Sequence, residues 1–179
     1  MRKMFWGKPK HMIIWGLVII YTLFANQLYI QFVLRDGKPV ASNVILPSIP
    51  QNIVFKLTDL LQPVHYNGQD LYEIKGYAFF AANPGQTNTI RIVLTSNTGN
   101  IVFPTRSVPV PDMIKSLPKY ENSMDQAEFS FLVSKNVLAT GKYQVGILLQ
   151  PVGDAIPAYV LTTSSIQKTP NSLKYISAP

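Results

Sequence analysis

Asp59, His65, Asp70 and Glu73 lie close together in the chain and are the residue types that hydrolysis or cation binding requires. A hydrolase triad would need His65 as its base, since the other histidine, His11, sits in the N-terminal segment. The surrounding Pro63-Val64-His65-Tyr66-Asn67-Gly68-Gln69-Asp70 reads as a turn, and no Gly-x-Ser-x-Gly elbow is present to supply a nucleophile. Asp59, Asp70 and Glu73 would suit a hard cation such as calcium, but no EF-hand or repeat spacing accompanies them, so they read as exposed carboxylates at strand ends. Asp112, Glu121, Asp125 and Glu128 cluster in an irregular stretch. A pair of them could act on a glycosidic bond only across a wide cleft, for which a small domain has little wall. Gly141-Lys142 lacks the upstream glycine and the following Ser/Thr of a phosphate loop. Catalytic, metal and cofactor sites are therefore not expected. Tyr66, Tyr72, Tyr77, Tyr120, Tyr159 and Tyr175 could include faces that stack on a sugar or a protein partner, although most tyrosines of such a domain form half-buried wall.

The elements that would hold such residues follow from charge and hydropathy. The chain has 179 residues, a net charge of +7 and no cysteine, so neither a disulfide framework nor a thiolate metal site is available. Arg2, Lys3, Lys8 and Lys10 place +4 ahead of residue 12, and the chain from Val40 onward holds ten Lys/Arg against eight Asp/Glu. The folded part is close to neutral, which argues against nucleic acid as a partner. Asn-x-Ser/Thr acceptor sites are missing, which fits a bacterial or archaeal surface protein.

Residues 12–34 carry no formal charge over 23 positions. As a helix they would extend about 34 Å, enough to cross a hydrocarbon core of about 30 Å. The basic residues 2–10 outweigh Arg35 and Lys38, so the positive-inside tendency places residues 1–11 in the cytoplasm and the remainder outside. The alternative is a cleaved signal peptide ending at Leu23-Phe24-Ala25, which the renewed apolar run from Leu28 and the bulk of Leu23 disfavour. Asn26, Gln27 and Gln31 interrupt the run. Gln27 and Gln31 share one helix face, where they either contact a neighbouring transmembrane helix or sit among headgroups with Tyr21 and Tyr29.

Residues 35–50 hold three prolines and read as an extended spacer. Seven apolar runs follow, at 53–61, 71–80, 89–96, 101–107, 128–133, 142–150 and 158–163, separated by Gly, Pro, Asn and Asp signals. Ile53/Phe55/Leu57, Ile90/Ile92/Leu94 and Phe129/Phe131/Val133 alternate with period two, which selects strand over helix. Arg91, between two inward residues, must face solvent or a partner. Pro109 and Pro111 break the pattern, and residues 112–117 fit one helical turn whose Met113, Ile114 and Leu117 could cap a sheet edge. The expectation is an all-β, seven-stranded sandwich over residues 51–165 with a tail at 166–179.

The stretch Leu138-Ala139-Thr140-Gly141-Lys142-Tyr143-Gln144-Val145 resembles the corner before the penultimate strand of immunoglobulin-like and fibronectin type III-like sandwiches. The resemblance implies that the Tyr143 hydroxyl returns to upstream backbone, that Leu138 fills the core below it and that Gly141 takes a turn conformation. The inter-sheet cysteine pair and the central tryptophan of antibody domains are missing, since Trp6 and Trp15 both precede the domain. Gly76-Tyr77-Ala78-Phe79-Phe80, the Arg91-Ile92-Val93-Leu94 run and the Gly141/Tyr143 corner also resemble small sandwich domains attached to bacterial envelope-polymer proteins.

The expected protein is thus a non-enzymatic, single-pass membrane protein whose extracytoplasmic sandwich binds an envelope protein, with the lipid bilayer as its other partner. A surface-glycan or cell-wall binding module is the alternative.

Overall fold

The computed structural model describes residues 9–47, 52–57, 63–66, 69–107, 127–153 and 156–176. The chain divides into two compact units, residues 1–35 and 36–179.

The first unit is the helix α1, Pro9–Asp36, 28 residues long. It runs unbroken past Ala25. Ile13, Ile14, Trp15, Leu17, Val18, Ile19, Ile20, Tyr21, Leu23, Phe24, Leu28 and Tyr29 are all exposed, so its apolar residues face every direction rather than one stripe. Among the described residues, no helix is long and apolar enough to cross a membrane. The stretch of α1 whose side chains are described, 13–29, has 17 residues. That is about 26 Å of helix, short of a full hydrocarbon core.

The second unit is an all-β sandwich with eleven strands among the described residues: β1 Ala41–Ser42, β2 Ile53–Leu57, β3 Val64–Tyr66, β4 Gln69–Phe80, β5 Asn88–Ser96, β6 Gly99–Pro104, β7 Arg106–Ser107, β8 Glu128–Ser134, β9 Gly141–Pro151, β10 Ala158–Lys168 and β11 Leu173–Ile176. One sheet has the order β1-β6-β5-β9-β10-β11, the other β2-β4-β8-β7 with β3 paired to β4. Every pairing is antiparallel.

Alternation builds the core as expected. Ile90, Ile92 and Leu94 of β5, Tyr143, Val145, Ile147 and Leu149 of β9, and Phe129, Phe131 and Val133 of β8 meet between the sheets, joined by Ile74, Ala78 and Phe103. Phe103 and Phe131 pack edge to face with ring centroids 5.3 Å apart, an arrangement favoured by the ring quadrupoles. From Gly76 to Phe80 β4 is buried on both faces, with Tyr77 and Phe79 enclosed opposite the inter-sheet core, while Glu73 and Lys75 are half-buried on that outer face. Its apolar run is therefore continuous over 76–80 but alternates over 72–75. Gly76 of β4 permits a close approach, because a Cβ there would stand 2.5 Å from the Lys56 carbonyl oxygen of β2.

The strand count exceeds the expected seven for four reasons. The stretch 63–70, read as a turn around His65, opens with the strand β3, which pairs with β4 from Val64↔Leu71 to Tyr66↔Gln69. The run 101–107 is two strands in different sheets: β6 ends at Pro104, the chain crosses at Thr105, whose hydroxyl donates to the Ile90 carbonyl oxygen at 2.7 Å, and β7 joins β8. The supposed tail 166–179 contains the end of β10 and all of β11, which pairs with it from Ser165↔Ile176 to Lys168↔Leu173. The supposed spacer 35–50 contains β1.

That last correction has a definite chemistry. The Val40 N–H donates to the Val102 carbonyl, and the Asn43 N–H to the Asn100 carbonyl, both at 2.8 Å. The Asn100 carboxamide then clamps Val44 from both sides, accepting from its N–H at 2.7 Å and donating to its carbonyl at 2.9 Å. Val44 and Leu46 pack over Val93, Val102 and Leu148 on the outer face of the six-stranded sheet. Residues 40–46 are thus a strap bound to the sandwich. The segment 112–117, with Met113, Ile114 and Leu117, lies outside the described residues.

Asn100→Ala removes both hydrogen bonds of the clamp. The expected result is roughly tenfold faster hydrogen exchange of the Val44 amide, corresponding to about 1–2 kcal/mol of local stability, with β5 and β9 unaffected. Unchanged Val44 protection would show that the clamp does not hold the strap.

Candidate binding groove at the sandwich end

The residues singled out for chemistry do not converge. Asp59, Asp112, Glu121 and Asp125 lie outside the described residues. His65 and Asp70 are opposite one another in the β3/β4 register. Asp70 forms an ion pair with Lys135, whose amine it holds above its ordinary value by hydrogen bonding and charge. Glu73 accepts from the Ser130 hydroxyl at 2.5 Å and lies 3.6 Å from the Lys75 amine. Alternation along β4 sends Asp70 and Glu73 to opposite faces, so they cannot share a cation. Glu128 is buried at the start of β8. Among the described residues, no group of three or more His, Cys, Asp or Glu is placed to hold a metal ion.

The described tyrosines of the sandwich are wall residues, whereas Tyr120 and the side chain of Tyr66 lie outside the described residues. Tyr72, Tyr77 and Tyr143 are 7%, 4% and 4% exposed, which leaves their faces no room for a sugar ring. Tyr159 is half-buried and lies across Gly146, where a Cβ would stand 2.4 Å from its hydroxyl oxygen. Burial pushes the hydroxyls of Tyr77 and Tyr159 above their ordinary values, and for Tyr159 a contact with Thr95 pulls the other way. Tyr175 donates to the Ser164 hydroxyl at 2.8 Å.

A groove of about 720 Å³ lies at one end of the six-stranded sheet. Three elements supply its walls. The β5/β6 hairpin contributes Thr95, Ser96, Asn97 and Thr98, with the Ser96 and Thr98 hydroxyls 2.9 Å apart. The β8/β9 corner contributes Thr140, Gly141 and Lys142. A bulge in β10 contributes Thr163 and Ser165.

The Tyr143 hydroxyl donates to the Ala139 carbonyl at 3.0 Å, and Leu138 and Tyr143 are buried in the core. Gly141 has φ +158°, at the edge of extended geometry, and no atom lies within 4 Å of where its Cβ would be. A side chain there would have room, but the positive φ is one that L residues rarely adopt, which is what glycine supplies. The bulge sets three residues, 162–164, against Val145 alone. Its polar groups are satisfied internally: the Thr162 hydroxyl donates to the Val145 carbonyl at 2.7 Å and accepts from the Ser164 N–H at 3.1 Å, and the Gln144 amide donates to the Thr162 carbonyl at 3.0 Å. The extra residues turn Thr163 and Ser165 toward the groove.

The lining is therefore hydroxyls and amides with one charge, Lys142. It offers donors and acceptors to a polar surface. Neither the bulge nor the hydroxyl cluster has a sequence signature, and only the corner was visible beforehand.

Comparison of the chain with family models, with curated proteins and with solved structures gives no match.

Tyr143→Phe deletes one hydroxyl and leaves the Ala139 carbonyl without its partner. The expected cost is about 1–3 kcal/mol, read as a lower urea midpoint for the full chain in detergent with an unchanged denaturant slope. An unchanged midpoint would mean that the hydroxyl does not secure the corner.

Proposed function

We propose that the chain is a single-pass membrane protein with residues 1–11 in the cytoplasm, α1 as an uncleaved anchor, and an immunoglobulin-like sandwich on the outer side acting as a non-enzymatic interaction module of the cell envelope. The observation that carries the proposal is α1. Its large apolar side chains are exposed around the whole circumference, a surface that water does not tolerate and a bilayer does. The helix continues to Asp36, so the uncharged stretch 12–34 spans about 34 Å once residues 12 and 30–34 are counted with 13–29. The basic residues 2–10 orient it.

The immunoglobulin-like reading of the sandwich is supported by strand order. β2-β4-β8-β7 follows the A-B-E-D sheet and β6-β5-β9-β10 the C′-C-F-G sheet, with the tyrosine corner at the start of the F-equivalent strand β9. The groove between the β5/β6 hairpin, the β8/β9 corner and the β10 bulge is the proposed contact for an envelope protein. Binding to a surface glycan has less support, because the described tyrosines of the sandwich are buried or half-buried.

Two measurements test this. In bacterial cells expressing single-cysteine variants of the naturally cysteine-free chain, an impermeant maleimide is expected to label Asn97→Cys in intact cells and Lys3→Cys only after lysis; the reverse pattern, or a chain released by alkaline carbonate, contradicts the anchor. In mild detergent, Lys142→Glu together with Thr98→Arg is expected to lower recovery of the co-purifying envelope protein about tenfold, the loss of a central contact. Recovery of the wild-type chain alone, repeatedly, contradicts the interaction role.

A further inference from the structure

The apolar residues of α1 before its amides, 12–25, number 14. As helix they extend about 21 Å, well short of a hydrocarbon core of about 30 Å. A helix that spans must therefore carry Asn26 and Gln27 into the hydrocarbon, and with residues 12–34 centred on the midplane Gln27 sits about 6 Å from it and Gln31 about 12 Å. Carboxamides at that depth need hydrogen-bonding partners, because lipid supplies none. Thr22 finds its partners within the helix, its hydroxyl 2.7 Å from the Val18 carbonyl oxygen and 2.9 Å from that of Ile19. Asn26, Gln27 and Gln31 are exposed and make no side-chain hydrogen bond among the described residues.

Gln27 and Gln31 do not stand alone on their face. At 100° per residue, Gly16, Ile20, Leu23, Gln27 and Gln31 fall within an arc of about 80°, whereas Asn26 lies about 100° from Gln27. Nothing stands within 4 Å of where a Gly16 Cβ would be, so the backbone is open to close approach on the same stripe. We infer that α1 self-associates in parallel through this stripe, with Gln27 and Gln31 of one copy bonded to Gln27 and Gln31 of another. The occupant is a second copy for two reasons. A carboxamide carries both donor and acceptor, so identical residues at one depth satisfy each other. Copies inserted under the same basic flank are also parallel, which puts identical residues at identical depth. The inference rests on α1 spanning a bilayer.

The test uses the full chain in membranes with single cysteines placed on the stripe (Ile20→Cys, Leu23→Cys) and opposite it (Val18→Cys, Ala25→Cys), followed by oxidation and by carbonate extraction of the same samples. Disulfide dimers are expected for the stripe positions and not for the opposite ones. The added changes Gln27→Leu and Gln31→Leu are expected to lower the Leu23→Cys dimer yield fivefold or more, with the chain still carbonate-resistant. Dimers at both faces, no dimers, or a cross-link to a protein of another mass, in a carbonate-resistant chain, overturn self-association and leave the anchor standing. Release by carbonate overturns both.

Discussion

The contact between the two sheets governs the sandwich, and it is centred where the Phe103 ring meets Phe131 edge-on within a layer of Ile, Val, Leu and Phe from β4, β5, β6, β8 and β9. Each inward side chain is fixed by its neighbours on the opposite sheet, so strand register and sheet order are not free to vary. The corner depends on this layer, since Tyr143 and Leu138 belong to it. The groove in turn depends on the corner, because Tyr143 at the head of β9 sets where Lys142 and Gln144 emerge beside the β10 bulge. The groove's hydroxyls are thereby mounted on a constrained part of the fold.

The strap extends the same principle outward. Asn100, on the edge of the six-stranded sheet, satisfies the main chain of Val44, and Val44 and Leu46 cover apolar residues that an open sheet face would leave wet. The edge strand β6 is closed by β1 over two residues, short enough to offer little template for pairing with another chain. Residues 40–46, within a stretch without periodicity, serve here as a cover.

How much of this was legible follows from which forces act locally. Period-two alternation at Ile90/Ile92/Leu94 and Phe129/Phe131/Val133 reports a face buried against another sheet, and those strands were found. Arg91 was rightly placed outward, and it donates to the Gln150 amide oxygen at 2.8 Å. β1, β3 and β11 escaped because strands of two, three and four residues carry no pattern of their own and exist only by pairing with β6, β4 and β10. The crossing at Thr105 escaped because an apolar run does not announce a change of sheet. The Tyr143 corner was readable because Leu, Gly and Tyr at fixed offsets answer a local geometric need. The groove was not, since Ser, Thr and Asn are ordinary surface residues until a bulge and a hairpin gather them.

The central claim is that the chain serves two solvents, lipid around α1 and water around the sandwich, and that each unit is stable by its own means. Hydrogen exchange of the full chain in lipid nanodiscs, followed through a urea titration, tests it directly. The expected result is cooperative loss of protection in β4, β5, β8 and β9 at one urea concentration, while the amides of 13–29 stay protected because no water reaches them. Exchange of 13–29 within seconds in the absence of urea, or its loss of protection together with the sandwich strands, would contradict it.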